Sequence, residues 1–227
     1  AHGRSDQVQG GYGEQTKFPS TPQIDFLLDS YHRQPSAELK NFLTTTLDQM
    51  AALGLRDHIG GGFFRYTTDP DWHTPHFEKM LYDNAQLARV YLRAADVLER
   101  KEYKEIARDT LQFMQREFLT AEGAMVGSLS ALDAEGVEGG YYLWSADELI
   151  NILTPDERRV IESNWLGKSV APFDAGYLPI WQQGYAMQYE LTQSDRKLLE
   201  SARQKLLQRR QQYRQIPVDD KLLAGWN

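Results

Sequence analysis

HFEKMLYDNAQLARVYLRAADVL, residues 76–98, reads as one long helix with two apolar stripes. Phe77, Leu81, Ala85, Ala88, Leu92 and Ala95 form the first stripe; Met80, Leu87, Tyr91, Ala94 and Leu98 form the second. Both keep helical spacing, and two stripes require burial on two sides, as in an inner helix of a layered α structure. The charged link Glu99-Arg100-Lys101-Glu102 leads into a second helix with Tyr103, Ile106, Leu111, Met114 and Phe118 on one face. The two segments predict an antiparallel helical hairpin.

The pattern repeats outward from there. Toward the N-terminus, an irregular first stretch ends at Thr21, which is expected to cap a short helix with Pro22 in its first position. Ser36 opens a longer helix carrying Leu39, Phe42, Leu43, Leu47, Met50 and Leu53, stopped at Gly54. Toward the C-terminus, Ser145 with Glu148 and Thr154 with Glu157 are capping boxes that open two more helices. Residues 167–184 read as loop, and a last long helix spans Asp195 to Arg214 before Ile216-Pro217 stops it. Between the helix pairs, Ala124–Leu129 against Gly140–Trp144 predicts a small β-hairpin around an acidic loop. No βαβ alternation is present, which argues against a parallel sheet. An α-solenoid would show a fixed repeat period, and none is found. The pattern therefore predicts an all-α chain, a helical toroid whose inner helices aim their ends at a central cleft.

Composition excludes several classes of function. The 227 residues hold 41% hydrophobic and 25% charged side chains, ordinary for a globular chain with a sizeable core. A net charge of -7 argues against a nucleic-acid binder, and the basic run Lys197 to Arg214 reads as a solvated helix face. With no cysteine, the chain has no disulfide, thiolate metal site or Cys nucleophile. No apolar run approaches the roughly 20 residues of a membrane span. The chain starts at Ala1 without a visible leader, so a cytoplasmic location is expected, with a periplasmic one left open.

Chemistry concentrates in residues 55–80. In Asp57-His58-Ile59-Gly60-Gly61-Gly62-Phe63-Phe64-Arg65-Tyr66, three glycines allow a tight turn, and the polar side chains around them suggest a ligand cleft. No Gly-Lys-Ser/Thr follows and no strand precedes, so this is not a phosphate loop. His76 and Glu78 fall at the start of the long helix. There they would serve either as acid/base equipment or simply as partners for its free amides. Pro75 keeps His73 and His76 off one helix face, and no metal or other cofactor is expected. Trp72, Tyr66, Tyr141, Tyr142 and Trp144 could stack on sugar rings, although most aromatic side chains are core. Asp219 or Asp220 could cap a further helix containing Leu222 and Leu223.

These segments together resemble the large thioredoxin-domain-containing proteins of the YyaL and spermatogenesis-associated type. The resemblance runs through Gly11-Tyr12-Gly13 and Lys17-Phe18-Pro19 to Asp57 through Phe63 with Arg65-Tyr66 and Trp72. It continues through Pro75 to Asp83, Glu138-Gly139 with Tyr142 and Trp144, and Asp219-Asp220-Lys221 with Trp226-Asn227. It implies a partial (α/α)6 toroid like that of N-acylglucosamine 2-epimerases and six-hairpin glycosidases. Residues 1–227 would form an incomplete toroid domain of about four hairpins. The family's thioredoxin-like domain would be absent, and another chain or segment would complete the barrel. The loop at Ser130 to Glu135 is shorter than the family's acidic loop.

The resemblance and the residues converge on a carbohydrate-active toroid, epimerase- or glycosidase-like, with a small-molecule sugar as partner. Asp57, His58, Arg65, Tyr66, Trp72, Glu138 and Trp144 would line the cleft. His76 would serve as the base of an epimerase, with Arg65 or Tyr66 steadying the oxyanion. Glu78 with Asp219 or Asp220 would be the carboxylate pair of a hydrolase. The alternative is a non-catalytic binding or scaffold module.

Overall fold

Among the described residues seven α-helices follow one another, mostly in adjacent pairs: α1 (Thr21–Arg33), α2 (Ala37–Ala52), α3 (Leu81–Val97), α4 (Glu102–Glu117), α5 (Ala146–Ile152), α6 (Pro155–Ile161) and α7 (Gln193–Tyr213). The computed structural model describes residues 5–166 and 173–227; of the loop expected over 167–184, residues 167–172 lie outside the described residues. The strongest packing is α3 on α4, followed by α1 on α3 and α6 on α7. The side chains of α3 explain this order. Leu87, Val90, Tyr91, Ala94 and Ala95 are all buried and α3 packs on both α4 and α1, but Ala85 and Leu92 of the first expected stripe are exposed.

Helix starts follow the capping chemistry of the sequence. The Ser36 hydroxyl accepts the Leu39 amide at 3.2 Å. Both expected capping boxes form in full, Ser145 with Glu148 and Thr154 with Glu157. At the start of α1 the capping position falls to Ser20, in left-handed backbone and without a side-chain cap, with Thr21 already helical. Ser145→Ala should cost about 1 kcal/mol in urea unfolding, the usual value of an N-cap.

Three expectations about strands and ends fail. The long helix begins at Leu81, not His76. Residues 75–80 instead carry β2 (Pro75–His76) and β3 (Lys79–Met80), and β2 forms a hairpin with β1 (Tyr66–Thr67) in the α2–α3 loop. Phe77 and Leu81 fit a helical stripe, but Phe77 and Lys79 equally fit a strand alternation, and tertiary pairing chose the strand. Second, β4 (Ser128–Leu129) does not pair with Gly140–Trp144. It is the middle strand of an antiparallel sheet between β3 and β5 (Val218–Asp219). Residues 139–142 form a turn, in which the Tyr142 and Leu143 amides return to the Gly139 carbonyl, and Trp144 bridges to Tyr177 instead. Third, Asp219 sits in β5, and no helix follows through Leu222 and Leu223.

Beneath the three-stranded sheet lies a small cluster of Leu81, Phe113, Met114, Phe118, Val126 and Leu129, beside the main core.

Candidate functional site

The glycine-rich turn packs inward. Asp57 is 1% exposed. Its Oδ1 accepts the Ile59 and Gly60 amides at 3.0 Å each. Its Oδ2 accepts from Lys79 Nζ at 2.8 Å and from an Arg210 guanidinium nitrogen at 2.7 Å. Burial would raise its pKa, but Arg210 and Lys79 overturn this and hold it well below the usual carboxylate range. Lys79 also donates to the Gly61 carbonyl at 2.8 Å. Its ammonium lies 5.0, 4.3 and 4.9 Å from the ring centres of Phe64, Phe113 and Tyr142. Burial pushes its pKa down to about 8, against the pull of Asp57. Asp57 is thus a saturated core anion rather than a cleft residue, and the basic run of α7 is not wholly solvated, because Arg210 is 1% exposed.

The glycines serve this packing. Gly62 has φ +73°, and a Cβ there would fall 2.3 Å from the Phe113 ring. Left-handed strain and overpacking each cost about 1–2 kcal/mol, so Gly62→Ala should lower stability by about 2–4 kcal/mol in thermal unfolding.

Two more expected cleft residues are core, and a third, His58, is buried at the floor of a separate cleft. Trp72 is fully buried, with its indole nitrogen donating to the Gln9 carbonyl at 2.9 Å. Trp144 is fully buried, bridged through its backbone to Tyr177 and covered by Arg214 at 4.0 Å. His58 is buried with Nε2 3.3 Å from the Leu53 carbonyl. Burial, then the charge of Arg56, push its pKa down to about 3, so it stays neutral. Large aromatic and polar side chains next to glycines suit a tight interior as well as a cleft.

The remaining candidates gather on the outer side of residues 75–80. Phe77 and Lys79 point inward, so His76 and Glu78 alternate outward. His76 Nδ1 lies 3.0 Å from a Glu138 carboxylate oxygen. The His76 ring stacks on Tyr66 at 5.0 Å, and Tyr66 stacks on Phe18 at 4.8 Å. Glu78 accepts from the Arg65 guanidinium at 2.8 Å, and its carbonyl accepts the Arg65 amide at 2.9 Å. Asp219 is opposite Ser128, which is opposite Met80, so in this register Asp219 and Glu78 project to the same face. Two strand spacings and an offset of two residues along the strand separate them, roughly 12 Å. Asp219 is paired with Lys221 at 2.9 Å, which holds its pKa below the usual value, while Asp220 is exposed.

Asp83, at the third position of α3, was not singled out as a site residue by sequence reasoning. Its Oδ2 is buried without a hydrogen-bond partner, and its electrostatic neighbours are Arg65 and Glu78. Burial raises its pKa to about 7, Arg65 opposing and Glu78 reinforcing the shift. Placing the helix start at Leu81 would have revealed it, because that puts Asp83 in a first turn beside the His76–Glu78 run. Tyr82 flanks it and packs edge-on against Trp226 at 4.9 Å.

No family model matches the chain. Spermatogenesis-associated protein 20 of Homo sapiens is 34% identical over 257 aligned residues, covering 98% of this chain and 32% of that protein. The Rattus norvegicus protein is 33% identical with the same coverage. The spermatogenesis-associated protein 20 proteins are homologues of this chain. It spans about a third of the length of these curated relatives. Among solved structures, a sugar epimerase from a ruminal bacterium and the cellobiose 2-epimerase of Spirochaeta thermophila DSM 6192 both superpose with a TM-score of 0.50. They are 14% and 16% identical, and each match covers 56% of this chain and 35% of the other. At that identity the likeness concerns the fold alone: this chain is a partial (α/α)6 toroid with a small β-hairpin in the α2–α3 loop.

Proposed function

We propose that this chain acts on sugars by proton transfer next to a carbonyl, as an epimerase does, through the His76–Glu78 face. One observation carries this: a histidine oriented by a carboxylate and an arginine held by another share this face, and Asp83, a carboxyl group whose pKa burial raises to about 7, has that arginine and its carboxylate as electrostatic neighbours. Glu138 fixes the His76 ring through Nδ1, which directs Nε2 at a substrate proton. His76 would take the proton from the carbon beside the sugar carbonyl. The C–H pair becomes an enediolate whose oxygen Arg65 steadies, and Asp83 would supply a proton to the opposite face of that carbon. The step is redox-neutral and leaves an inverted centre. The epimerase fold of the structural neighbours supports this choice. A hydrolase built on Glu78 and Asp219 is less favoured, since one of the two must act as a protonated acid and both are ion-paired, Glu78 with Arg65 at 2.8 Å and Asp219 with Lys221 at 2.9 Å.

The test is loss of the proton signal beside the carbonyl when cellobiose, glucose or N-acetylglucosamine is incubated with the chain in D2O and followed by NMR. Exchange with at least one sugar is expected, falling about 100-fold in His76→Ala at unchanged melting temperature. No exchange with any of them, together with no thermal shift, would leave the non-catalytic binding module as the better account.

A further inference from the structure

A cleft of about 530 Å³ opens between α4 and α7, floored by Arg56 and His58 and walled by Trp165, Trp181 and the 3-10 turn Tyr185–Tyr189. Its lining includes none of the residues of the His76–Glu78 face. Small-molecule sites run from roughly 300 to 1,000 Å³, so the size suits a metabolite.

The charges of the wall do not cancel. Arg56 is paired with Asp109 at 2.9 Å, and Arg203 grips Glu200 through two bonds of 3.0 Å. Glu105 accepts from the Tyr189 hydroxyl at 2.9 Å. Arg196 donates to the carbonyls of Tyr189 and Leu191, which carry no charge. The Arg108 side chain has neither an ion pair nor a hydrogen bond among the described residues. His58 is neutral and adds nothing. Four guanidinium groups therefore face three carboxylates, in a chain whose net charge is -7. Hydrogen-bond donors are in surplus too. Arg56 Nε, Trp165 Nε1 and Gln188 Nε2 are buried without an acceptor, and all three residues belong to this wall. A purely structural wall satisfies its buried donors.

We propose that this cleft binds a small organic anion, with its phosphate or carboxylate against Arg108 and Arg196. Guanidinium groups pair with either oxyanion through two parallel bonds, and the half-exposed Tyr189 ring offers a surface for the rest of the ligand. The site is independent of the proposed epimerase chemistry.

Calorimetric titration with glucose 6-phosphate, glucuronate, glucose and inorganic phosphate tests it. At least one anionic sugar should bind about tenfold more tightly than both glucose and inorganic phosphate. Preference for glucose 6-phosphate or for glucuronate tells which oxyanion the site takes. Arg108→Gln, which removes no bond, should weaken that binding by about tenfold, whereas His76→Ala should leave it unchanged. Four outcomes overturn the proposal: glucose binding as well as the charged sugars, inorganic phosphate binding as well as they do, wild-type affinity in Arg108→Gln, or no heat from any probe.

Discussion

Asp57→Ala is expected to lower the unfolding free energy by about 3–5 kcal/mol, a large share of the 5–15 kcal/mol that holds a typical domain together. The substitution leaves Lys79 and Arg210, 1% exposed each, facing one another in the core with no counter-ion. It also strands the Ile59 and Gly60 amides that Oδ1 accepts, so the glycine turn keeps only its backbone bonds. The asymmetry of the cluster gives the sharper half of the prediction. Two cations share one carboxylate, so Lys79→Met leaves a balanced Asp57–Arg210 pair and puts an unbranched apolar side chain among three aromatic rings. It should cost no more than about 1 kcal/mol, the value of the lost bond to the Gly61 carbonyl. Urea unfolding of both variants decides the matter. Equal losses in the two would mean that charge balance is not what stabilises this core.

The sequence carried the helices and missed what the strands do to the site. Apolar spacing and capping chemistry are local, and α2, α5 and α6 begin one residue after Ser36, Ser145 and Thr154, while α4 begins at Glu102, the last residue of the charged link. Strand partners are not local. Ser128–Leu129 chose Lys79–Met80 and Val218–Asp219 over the nearer Gly140–Trp144 because pairing of two-residue strands is decided by what the helices bring alongside. The site shared that fate. His76, Glu78, Arg65, Tyr66 and Glu138 lie where polar side chains alternate outward, and they emerged together. Asp57, Trp72 and Trp144 carry the same residue types, but their glycine neighbours draw backbone and rings into van der Waals contact. Gly11, for example, leaves no room for a Cβ against the Trp72 ring, 2.5 Å away. Nothing in residue type alone separates a glycine that opens a cleft from one that closes a core.

Asp83→Asn should make the chain more stable and less active at once. Burial lifts the Asp83 pKa from its ordinary 3.8 to about 7, so the folded state binds a proton that the unfolded chain has already released between those values. A raised carboxyl contributes its full stability below about pH 4 and loses it as pH climbs through 7. Asparagine keeps the neutral shape and has no proton to lose. The variant should therefore match the native chain at pH 4 and exceed it at pH 8, by no more than about 4 kcal/mol. The amides at the start of α3, which favour a carboxylate, reduce that gain. If Asp83 supplies the proton in the proposed epimerisation, the same substitution should cut deuterium exchange into the sugar by about 100-fold. Urea unfolding at the two pH values and the exchange assay are independent readouts. A variant that is less stable at pH 8 would show that the buried Oδ2 has a partner holding it ionised. A stabilised variant with full exchange would remove Asp83 from the chemistry and leave His76 to act with some other acid.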